Sequence, residues 1–336
     1  MRIVAGKYKG KNLASPKTDD VRPTTTRIKE TLFNVIQGYV ADSVVLDLFA
    51  GSGALGIEAI SRGAKKVVFV DKSKDSIALV RQNLTGIDGQ YEVVNADFSS
   101  ALRSAYLKGE KFDLVFLDPP YASDLGDLAL QMIFDLELLK KDGIIVFEHG
   151  TDKKFELLDN HYKVRTKQMG TVTAEFITHK SVAMMAGSYD PFTRGHEAVL
   201  DEALRRYDEV IVACLVNPDK HYTFNDAQRL AICEEVCKWK KGARALYSTK
   251  DAVDVASEEG AEVLIRGIRG EGDKAYEQAM ADYNREHGFD TLFIEIDSYR
   301  DVSSTIVREQ LKAGDYRNVP AAVIPLLNSA EFKALE

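Results

Sequence analysis

The sequence predicts two doubly wound α/β domains, one after the other. Apolar strands alternate with helical segments along the first 180 of the 336 residues, and the alternation restarts at residue 181. Each series opens on a strand that runs into a glycine-rich turn, FAGSGALG at 49–56 and AGSYDPFTRGH at 186–196. Alternation of this kind is typical of a parallel sheet covered by helices on both faces. We therefore divide the chain into domains of residues 1–180 and 181–336.

The first series begins with a predicted amphipathic helix over 22–36, where apolar residues recur every three or four positions. Five strands follow, and an antiparallel pair joined at Gly170 is expected at the edge of the sheet. The five strands are predicted over 44–49, 66–71, 91–97, 112–118 and 143–149. The strands of the second series are predicted over 181–187, 208–216, 244–248, 261–267 and 291–296.

Composition and charge narrow the function classes. Hydrophobic residues make up 45% of the chain and charged residues 29%, as in ordinary globular proteins. The formal charge of -8 argues against a nucleic-acid binder that is basic over its whole surface. Residues 1–40 nevertheless carry eight Lys and Arg against three acidic residues. This basic arm is either a phosphate-binding surface or a solvated, flexible face.

The sequence also bears on location and redox state. The N-terminal residues lack the apolar core of a signal peptide, and no run of about 18 apolar residues occurs. We therefore expect a cytoplasmic protein without a membrane partner. Cys214, Cys233 and Cys237 make neither a disulfide framework nor a CxxC pair, so buried, inert thiols are expected.

The first glycine-rich turn has the residues of a nucleotide site. Gly51 and Gly53 lack side chains, which lets the backbone turn sharply and approach a ligand at the N-terminus of the next helix. Asp71 ends the next predicted strand, where a carboxylate meets the ribose of either NAD or S-adenosylmethionine. These features leave the choice of cofactor open.

The choice comes from the DPPY sequence of Asp118, Pro119, Pro120 and Tyr121, at the carboxyl end of the fourth predicted strand. Methylation of an exocyclic amine requires its lone pair to leave ring conjugation, and acceptors close to the two amine hydrogens favour this. Asp118 and the carbonyl of Pro119 are such acceptors, and Tyr121 can stack on a base removed from its helix. The competing interpretation is a turn stiffened by two prolines.

Residues 1–180 resemble the bacterial 16S rRNA guanine-N2 methyltransferases. The matching sequences are MRIVAGKYKGKNL, RPTTTRIKETLFNVI, DLFAGSGALGIEA, FVDKS, NADF and FLDPPY, of which the first two are the specific part. The resemblance implies a Rossmann-like domain with S-adenosylmethionine as its cofactor. The implied partner is 16S rRNA or an assembly intermediate of the small ribosomal subunit. DNA adenine-N6 methyltransferases can use the same DPPY and are the main alternative.

The resemblance also assigns roles to residues. It implies that Asp118 to Tyr121 hold the guanine amine. The residues that it implies for S-adenosylmethionine are Asp47, Gly51, Gly53, Asp71 and Asp97. Those that it implies for closing over the RNA site are Arg22, Thr24 and Thr25.

The second glycine-rich turn contains the sequence TxGH, formed by Thr193, Gly195 and His196. Gly187 ends the preceding strand, and His196 begins the next predicted helix, so backbone N–H groups, a hydroxyl and an imidazole can point at one phosphate. Other basic and hydroxyl residues that follow strands indicate convergence on a polyphosphate, namely Lys220, Arg266, Arg269 and Ser303 to Thr305. Reaction at the α-phosphorus of a nucleotide needs charge stabilisation and in-line positioning, so no protein nucleophile is demanded.

Residues 181–330 resemble the phosphopantetheine adenylyltransferases through GSYDPFTRGH, NPDK, IRGIRGEGDKAYEQAMADYNR and VSSTIVRE. The resemblance implies a nucleotidyltransferase Rossmann-like domain that uses ATP, with Mg²⁺ assisting the pyrophosphate leaving group. It also implies a homo-oligomer formed through this domain. The residues implied for 4′-phosphopantetheine are Ser188, Lys220 and Arg266, and those implied for ATP are Gly187, Ser188, His196, Arg269, Glu277, Ser303, Ser304 and Thr305. His196 and Lys220 are the expected catalytic residues.

The sequence thus predicts a fusion of two enzymes. Cytidylyltransferases share TxGH and are an alternative for the second half. A half that binds its ligand without catalysis is a further alternative, against which the intact DPPY and TxGH argue.

Overall fold

The chain forms two compact units, Met1–His179 and Lys180–Glu336. Each unit has its own sheet and its own apolar core. The residues that this computed structural model describes are 1–15, 26–121, 123–218, 220–268 and 271–333. No helix among them is long and apolar enough to cross a lipid bilayer.

The first unit contains a seven-stranded sheet and five α-helices within its described residues. The strands are β1 (Val44–Asp47), β2 (Lys66–Asp71), β3 (Gln90–Asn95), β4 (Phe112–Leu117), β5 (Leu139–Gly150), β6 (Tyr162–Met169) and β7 (Val172–His179). The helices are α1 (Thr26–Val35), α2 (Ala54–Ser61), α3 (Lys74–Leu84), α4 (Phe98–Leu107) and α5 (Leu125–Asp135). The strand order is β3-β2-β1-β4-β5-β7-β6. Strands β1 to β5 are parallel, and β6 and β7 form the predicted antiparallel edge.

Apolar residues cover both faces of this sheet, as the near-continuous apolar strands predict. Leu114 and Phe116 of β4 pack on the face that carries α1, α2 and α3, whereas Val115 and Leu117 pack on the face that carries α4 and α5. The doubly wound fold class is therefore confirmed. Strands β1 and β3 each end two residues earlier than predicted, because the chain turns there toward the next helix. Asp97 is the N-cap of α4 rather than a residue of β3.

The N-terminal residues correct one of the two interpretations of the basic arm. Residues 1–15 pack on the fold, because Ile3 and Leu13 are buried and an isolated β-bridge joins Arg2 to Asn12, while the basic side chains of Arg2, Lys7 and Lys9 are exposed. Lys29 is fully buried, and its ammonium pairs with Glu58 at 3.0 Å. At least one charged residue of the basic arm is therefore part of a buried ion pair inside the fold.

The second unit contains a five-stranded parallel sheet within its described residues. The strands are β8 (Val182–Gly187), β9 (Glu209–Leu215), β10 (Ala243–Ser248), β11 (Val263–Ile268) and β12 (Asp290–Glu295). The helices are α6 (Arg194–Leu204), α7 (Asp226–Lys238), α8 (Ala252–Glu258), α9 (Glu271–Glu286), α10 (Ser304–Lys312), α11 (Ile324–Leu327) and α12 (Ala330–Lys333). Short 3₁₀ helices occupy Gln37–Tyr39, Asp297–Tyr299 and Ala321–Val323.

The strand order in the second unit is β10-β9-β8-β11-β12, so β8 lies at the centre. The chain moves from β8 outward through β9 to β10 and then returns to the other side of β8 through β11. This reversal places the carboxyl end of β8 at the crevice where open α/β sheets bind ligands. Cys214, Cys233 and Cys237 are buried thiols in the core beneath it, as predicted.

Candidate active sites

The first glycine-rich turn links β1 to α2 at the centre of the first sheet. Gly51 and Gly53 have φ values of +53° and +74°, in the left-handed region that residues with a side chain rarely adopt. Gly53 is the N-cap of α2. The N–H of Gly51 donates to Asp71 Oδ2 at 2.9 Å, and the N–H of Ser73 donates to Asp71 Oδ1 at 2.8 Å. The end of β2 is therefore tied to the turn, and the Asp71 carboxylate lies beside it.

Asp47 lies beneath this turn and is 2% exposed. Its Oδ2 accepts a hydrogen bond of 3.0 Å from the N–H of Gly56, which orients the first turn of α2. Burial raises the pKa of Asp47 to about 7, and the charges of Asp118 and Asp71 act in the same direction, while the bond from Gly56 opposes them. The structure thus places two predicted residues of the first site, Asp71 and Asp118, close enough to Asp47 for their charges to act on it.

Asp97 is the N-cap of α4. It accepts from the N–H and hydroxyl of Ser100 and from the hydroxyl of Ser99. These hydrogen bonds hold the pKa of Asp97 well below its usual range. The carboxylate is therefore ionised at neutral pH, and it stabilises the N-terminus of α4 as its N-cap.

The DPPY residues follow β4 directly. Asp118 and Tyr121 are half-buried and Pro119 is buried, while Pro120 is exposed. The carbonyl of Pro120 accepts from the N–H of Ser123 at 3.1 Å, which closes a turn. The DPPY residues thus begin where β4 ends, and β4 pairs with β1, the strand that runs into the glycine-rich turn.

Glu148, in β5, is a residue that the sequence reasoning missed. It is 1% exposed and lies one position beyond the pairing of Leu117 with Phe147, which sets it beside Asp118. A charged residue at the end of the apolar run GIIVF was the available signal, because such a strand otherwise presents only apolar side chains. The next residue, His149, is also buried, and its Nε2 lies 3.2 Å from Glu175 Oε1.

Four predicted site residues lie outside the part of the chain that the structure describes. They are Arg22, Thr24, Thr25 and Arg269.

The second site is a cavity of about 610 Å³ at the carboxyl end of β8. Every predicted residue of this site that is described lines the cavity, and these residues come from five separate segments. They are Gly187, Ser188, His196, Lys220, Arg266, Glu277, Ser303, Ser304 and Thr305. The hydroxyl and basic residues that the sequence places after strands therefore lie around one cavity, and their binding of a polyphosphate stays a prediction.

His196 lies in the first turn of α6, whose N-cap is Thr193. The Thr193 hydroxyl accepts from the N–H of His196, and His196 Nδ1 accepts from the N–H of Thr193 at 3.1 Å. Because Nδ1 is an acceptor, the hydrogen of the neutral ring is on Nε2. The ring is thereby fixed as a hydrogen-bond donor at a helix N-terminus, where anions are stabilised.

The turn between β8 and α6 is shaped by close packing. A Cβ atom on Gly187 would lie 3.0 Å from the ring of Tyr189, which is closer than such contacts normally come. The Tyr189 ring also meets the His196 ring edge-on, with 5.2 Å between centroids. Behind the turn, the buried guanidinium of Arg229 donates to the carbonyl of Ser188 at 2.6 Å. These contacts hold Ser188 and His196 in fixed positions on the cavity wall.

Two cations that line the cavity have defined partners. Arg266 Nε lies 3.2 Å from Glu277 Oε2, so the residue predicted for phosphopantetheine and one predicted for ATP form an ion pair. Arg308, which the sequence reasoning did not single out, donates to the carbonyl of Asp190 at 2.7 Å and to the hydroxyl of Thr305 at 3.0 Å. It also lines the cavity. Among the described residues, no group of three metal-ligating side chains is found.

The fold and these sites define a chain with two α/β transferase-like units. Residues 1–178 match the family described as "Conserved hypothetical protein 95", and the chain belongs to this family. Its first half is similar to the ribosomal RNA small subunit methyltransferase D of Haemophilus influenzae. The two are 36% identical over 176 residues, which cover 52% of this chain and 91% of that protein.

The second half matches another family. Residues 184–310 match the family described as cytidylyltransferase-like. The phosphopantetheine adenylyltransferase of Porphyromonas gingivalis is 37% identical over 141 residues, covering 40% of this chain and 90% of that protein. Both resemblances drawn from the sequence are thus confirmed, and the chain is a fusion. The solved structure of a hypothetical protein from Thermus thermophilus is 28% identical in sequence to this chain. The match covers 53% of this chain and 99% of that protein, with a TM-score of 0.47.

Proposed function

We propose that the chain is a bifunctional transferase. Its first unit transfers a methyl group from S-adenosylmethionine to the exocyclic N2 of a guanine in 16S rRNA. Its second unit transfers AMP from ATP to 4′-phosphopantetheine, which gives dephospho-CoA and pyrophosphate. The relatives named ribosomal RNA methyltransferase and phosphopantetheine adenylyltransferase support these two assignments.

For the first unit, the position of DPPY beside the glycine-rich turn carries the proposal. S-adenosylmethionine supplies an electrophilic methyl group on a sulfonium centre. Asp71 and the glycine-rich turn are the groups that we assign to its binding, with Asp47 supporting the turn and Asp97 at the start of the neighbouring helix. Asp118 and the Pro119 carbonyl accept the two amine hydrogens, so that the nitrogen lone pair points at the methyl group. Tyr121 stacks on the extruded base.

The test is methyl transfer to 16S rRNA that lacks this modification. We expect N2-methylguanosine after nuclease digestion, and we expect Asp118→Ala to abolish transfer while calorimetry shows retained binding of S-adenosylmethionine. Production of N6-methyladenosine in DNA, with no transfer to rRNA, would refute the assignment. Closure of Arg22, Thr24 and Thr25 over the site remains a prediction.

For the second unit, the cavity that gathers hydroxyl, imidazole and basic groups at two helix N-termini carries the proposal. Ser303 caps α10, as Thr193 caps α6, so both helices present backbone N–H groups toward bound phosphate. His196 Nε2–H and the Lys220 ammonium stabilise charge that develops on the α-phosphate. We assign Mg²⁺ to the phosphate oxygens of ATP, since Mg²⁺ at such sites is typically held largely by substrate phosphates and water.

The test is pyrophosphate release from ATP in the presence of 4′-phosphopantetheine, with dephospho-CoA identified by mass spectrometry. Release with CTP and a different phosphorylated acceptor, but not with this pair, would establish the cytidylyltransferase alternative. Self-association through the second unit is a further part of the proposal, which sedimentation velocity of the full chain tests. A monomer at all concentrations would refute self-association.

A further inference from the structure

Glu148 buries its carboxyl group at the edge of the first sheet where the DPPY residues lie. Three adjacent strands of this sheet each place a carboxylate at their carboxyl ends, namely Asp47 in β1, Asp118 after β4 and Glu148 in β5. Asp47 pairs with Phe116, and Leu117 pairs with Phe147.

Side chains alternate between the faces of a strand and match across parallel pairs. Asp118 therefore lies on the same face of the sheet as Phe116. Glu148 lies level with Asp118 on the neighbouring strand, so its side chain is on that face too. Asp47, which pairs with Phe116, also lies on this face. All three carboxylates thus belong to the face and edge at which the DPPY residues hold the target amine.

Glu148 differs from the other buried glutamates of this unit because Oε1 has no hydrogen-bond partner among the described residues. Glu175, on β7, is equally buried, but its two oxygens contact His149 and the Thr166 hydroxyl. A buried acceptor without a partner typically costs folding free energy. Burial and the charges of Asp118 and Asp47 raise the pKa of Glu148 well above its usual range. The buried Glu148 carboxyl therefore destabilises the first unit unless a ligand donates a hydrogen bond to Oε1.

We propose that Glu148 Oε1 accepts the ring N1–H of the target guanine and so makes the site select guanine over adenine. This inference rests on the proposed methyl transfer to guanine N2. Guanine presents its N1–H directly beside the N2 amine, whereas adenine presents an N1 lone pair beside its N6 amine. The guanine N1–H donates to the ionised Glu148 carboxyl and so offsets the burial that raises its pKa, whereas the ionised carboxyl and adenine N1 would face each other with lone pairs.

The test compares two substitutions at one position. Glu148→Gln keeps an acceptor oxygen, and Glu148→Leu removes it at similar volume. We expect Glu148→Leu to lower kcat/KM for 16S rRNA by at least about tenfold. Its affinity for S-adenosylmethionine should be unchanged and its unfolding midpoint at or above that of the wild type. Glu148→Gln should remain within about threefold of the wild-type rate.

A matched control is Glu175→Gln, which removes a carboxylate that already has partners. It should lower the unfolding midpoint and leave the transfer rate of the folded protein unchanged, the reverse of Glu148→Leu. Wild-type transfer by Glu148→Leu, equal loss in Glu148→Gln, or a lowered midpoint in Glu148→Leu would each overturn the inference. Formation of N6-methyladenosine by the wild type would instead overturn the proposed function itself.

Discussion

Replacing Lys29 with methionine should destabilise the first unit strongly, although Lys29 belongs to a segment whose sequence resembles a solvated basic arm. Both Lys29 and Glu58 are 0% exposed, and their charged atoms lie 3.0 Å apart. The Lys29 ammonium also donates to the carbonyl of Arg2 at 2.8 Å. Glu58 accepts from the N–H groups of Val4 and Ala5 as well. The pair therefore joins the N-terminal residues to α1 and α2.

The expected cost follows from what the substitution leaves behind. Removing one partner of a buried ion pair typically costs about 3–5 kcal/mol, because the remaining charge is buried without compensation. Here Glu58 keeps two backbone N–H donors and the Arg62 guanidinium at 2.9 Å. These donors offset part of the loss, so we expect a value of about 3 kcal/mol, at the lower end of the range.

Hydrogen exchange of the full chain, resolved by peptide, measures this cost. Slow amides of β1 and β4 should exchange roughly 100-fold faster in Lys29→Met, as about 3 kcal/mol of lost stability requires. Amides of β9 and β11, in the other unit, should be unchanged. Lys7→Met is the matched control, because Lys7 pairs with Asp88 at 3.1 Å with side chains 64% and 85% exposed, and such pairs contribute little. Equal exchange rates in Lys29→Met and Lys7→Met would refute this reasoning.

Single contacts in both units lead to three more expected outcomes. Because burial raises the pKa of Asp47 to about 7, the contribution of Asp47 to the stability of the first unit should fall as pH rises from about 4 to 7, by about 4 kcal/mol at 1.36 kcal/mol per pH unit. Asp47→Asn keeps an acceptor for Gly56 and should flatten that profile in hydrogen exchange at pH 5 and 8; an unchanged slope would contradict the assignment. His196→Ala should lower kcat for pyrophosphate release by about 100-fold to 1,000-fold with ATP affinity retained in calorimetry, and an unchanged kcat would remove His196 from the mechanism. Gly187→Ala should weaken ATP binding, because its Cβ would push the Tyr189 ring that lies 3.0 Å away, and wild-type affinity in calorimetry would show that the ring yields.

The sequence predicts the order of the elements and most of the second site, because both depend on local patterns. A buried parallel strand needs a continuous apolar run, and a phosphate site at its end needs glycine, hydroxyl and basic residues within a few positions. Local pattern alone therefore suffices to group Gly187, Ser188 and His196 at one site. The sequence does not predict the role of Arg308, because its partner Asp190 lies more than 100 positions away. The periodicity of apolar residues carries no information on contacts between such distant residues.

The burial of Lys29 was unpredictable for a related reason, and for Glu148 the only sequence signal was its place after an apolar run. A charged side chain is solvated by default, and only its tertiary partners show otherwise. Lys29 carries the same charge as its exposed neighbours in the basic arm, yet helix α2 supplies Glu58 beneath it. Glu148 follows an apolar run within β5, and only the pairing register of β5 with β4 shows that it lies beside Asp118.

The two glycine-rich turns have opposite electrostatic surroundings, and this contrast is the strongest physical argument for two different ligands. Helix N-termini favour negative charge in both units. In the first unit, however, the carboxylate of Asp71 accepts from the N–H of Gly51 in the turn, and the acidic side chain of Asp47 lies beneath it, which disfavours an anion and suits a cationic sulfonium. In the second unit, Lys220 and Arg308 line a cavity of about 610 Å³ beside the turn, which suits a polyphosphate. A dinucleotide in the first turn would set its pyrophosphate against those carboxylates, so the charge pattern favours S-adenosylmethionine over NAD on grounds that the glycine spacing alone does not supply.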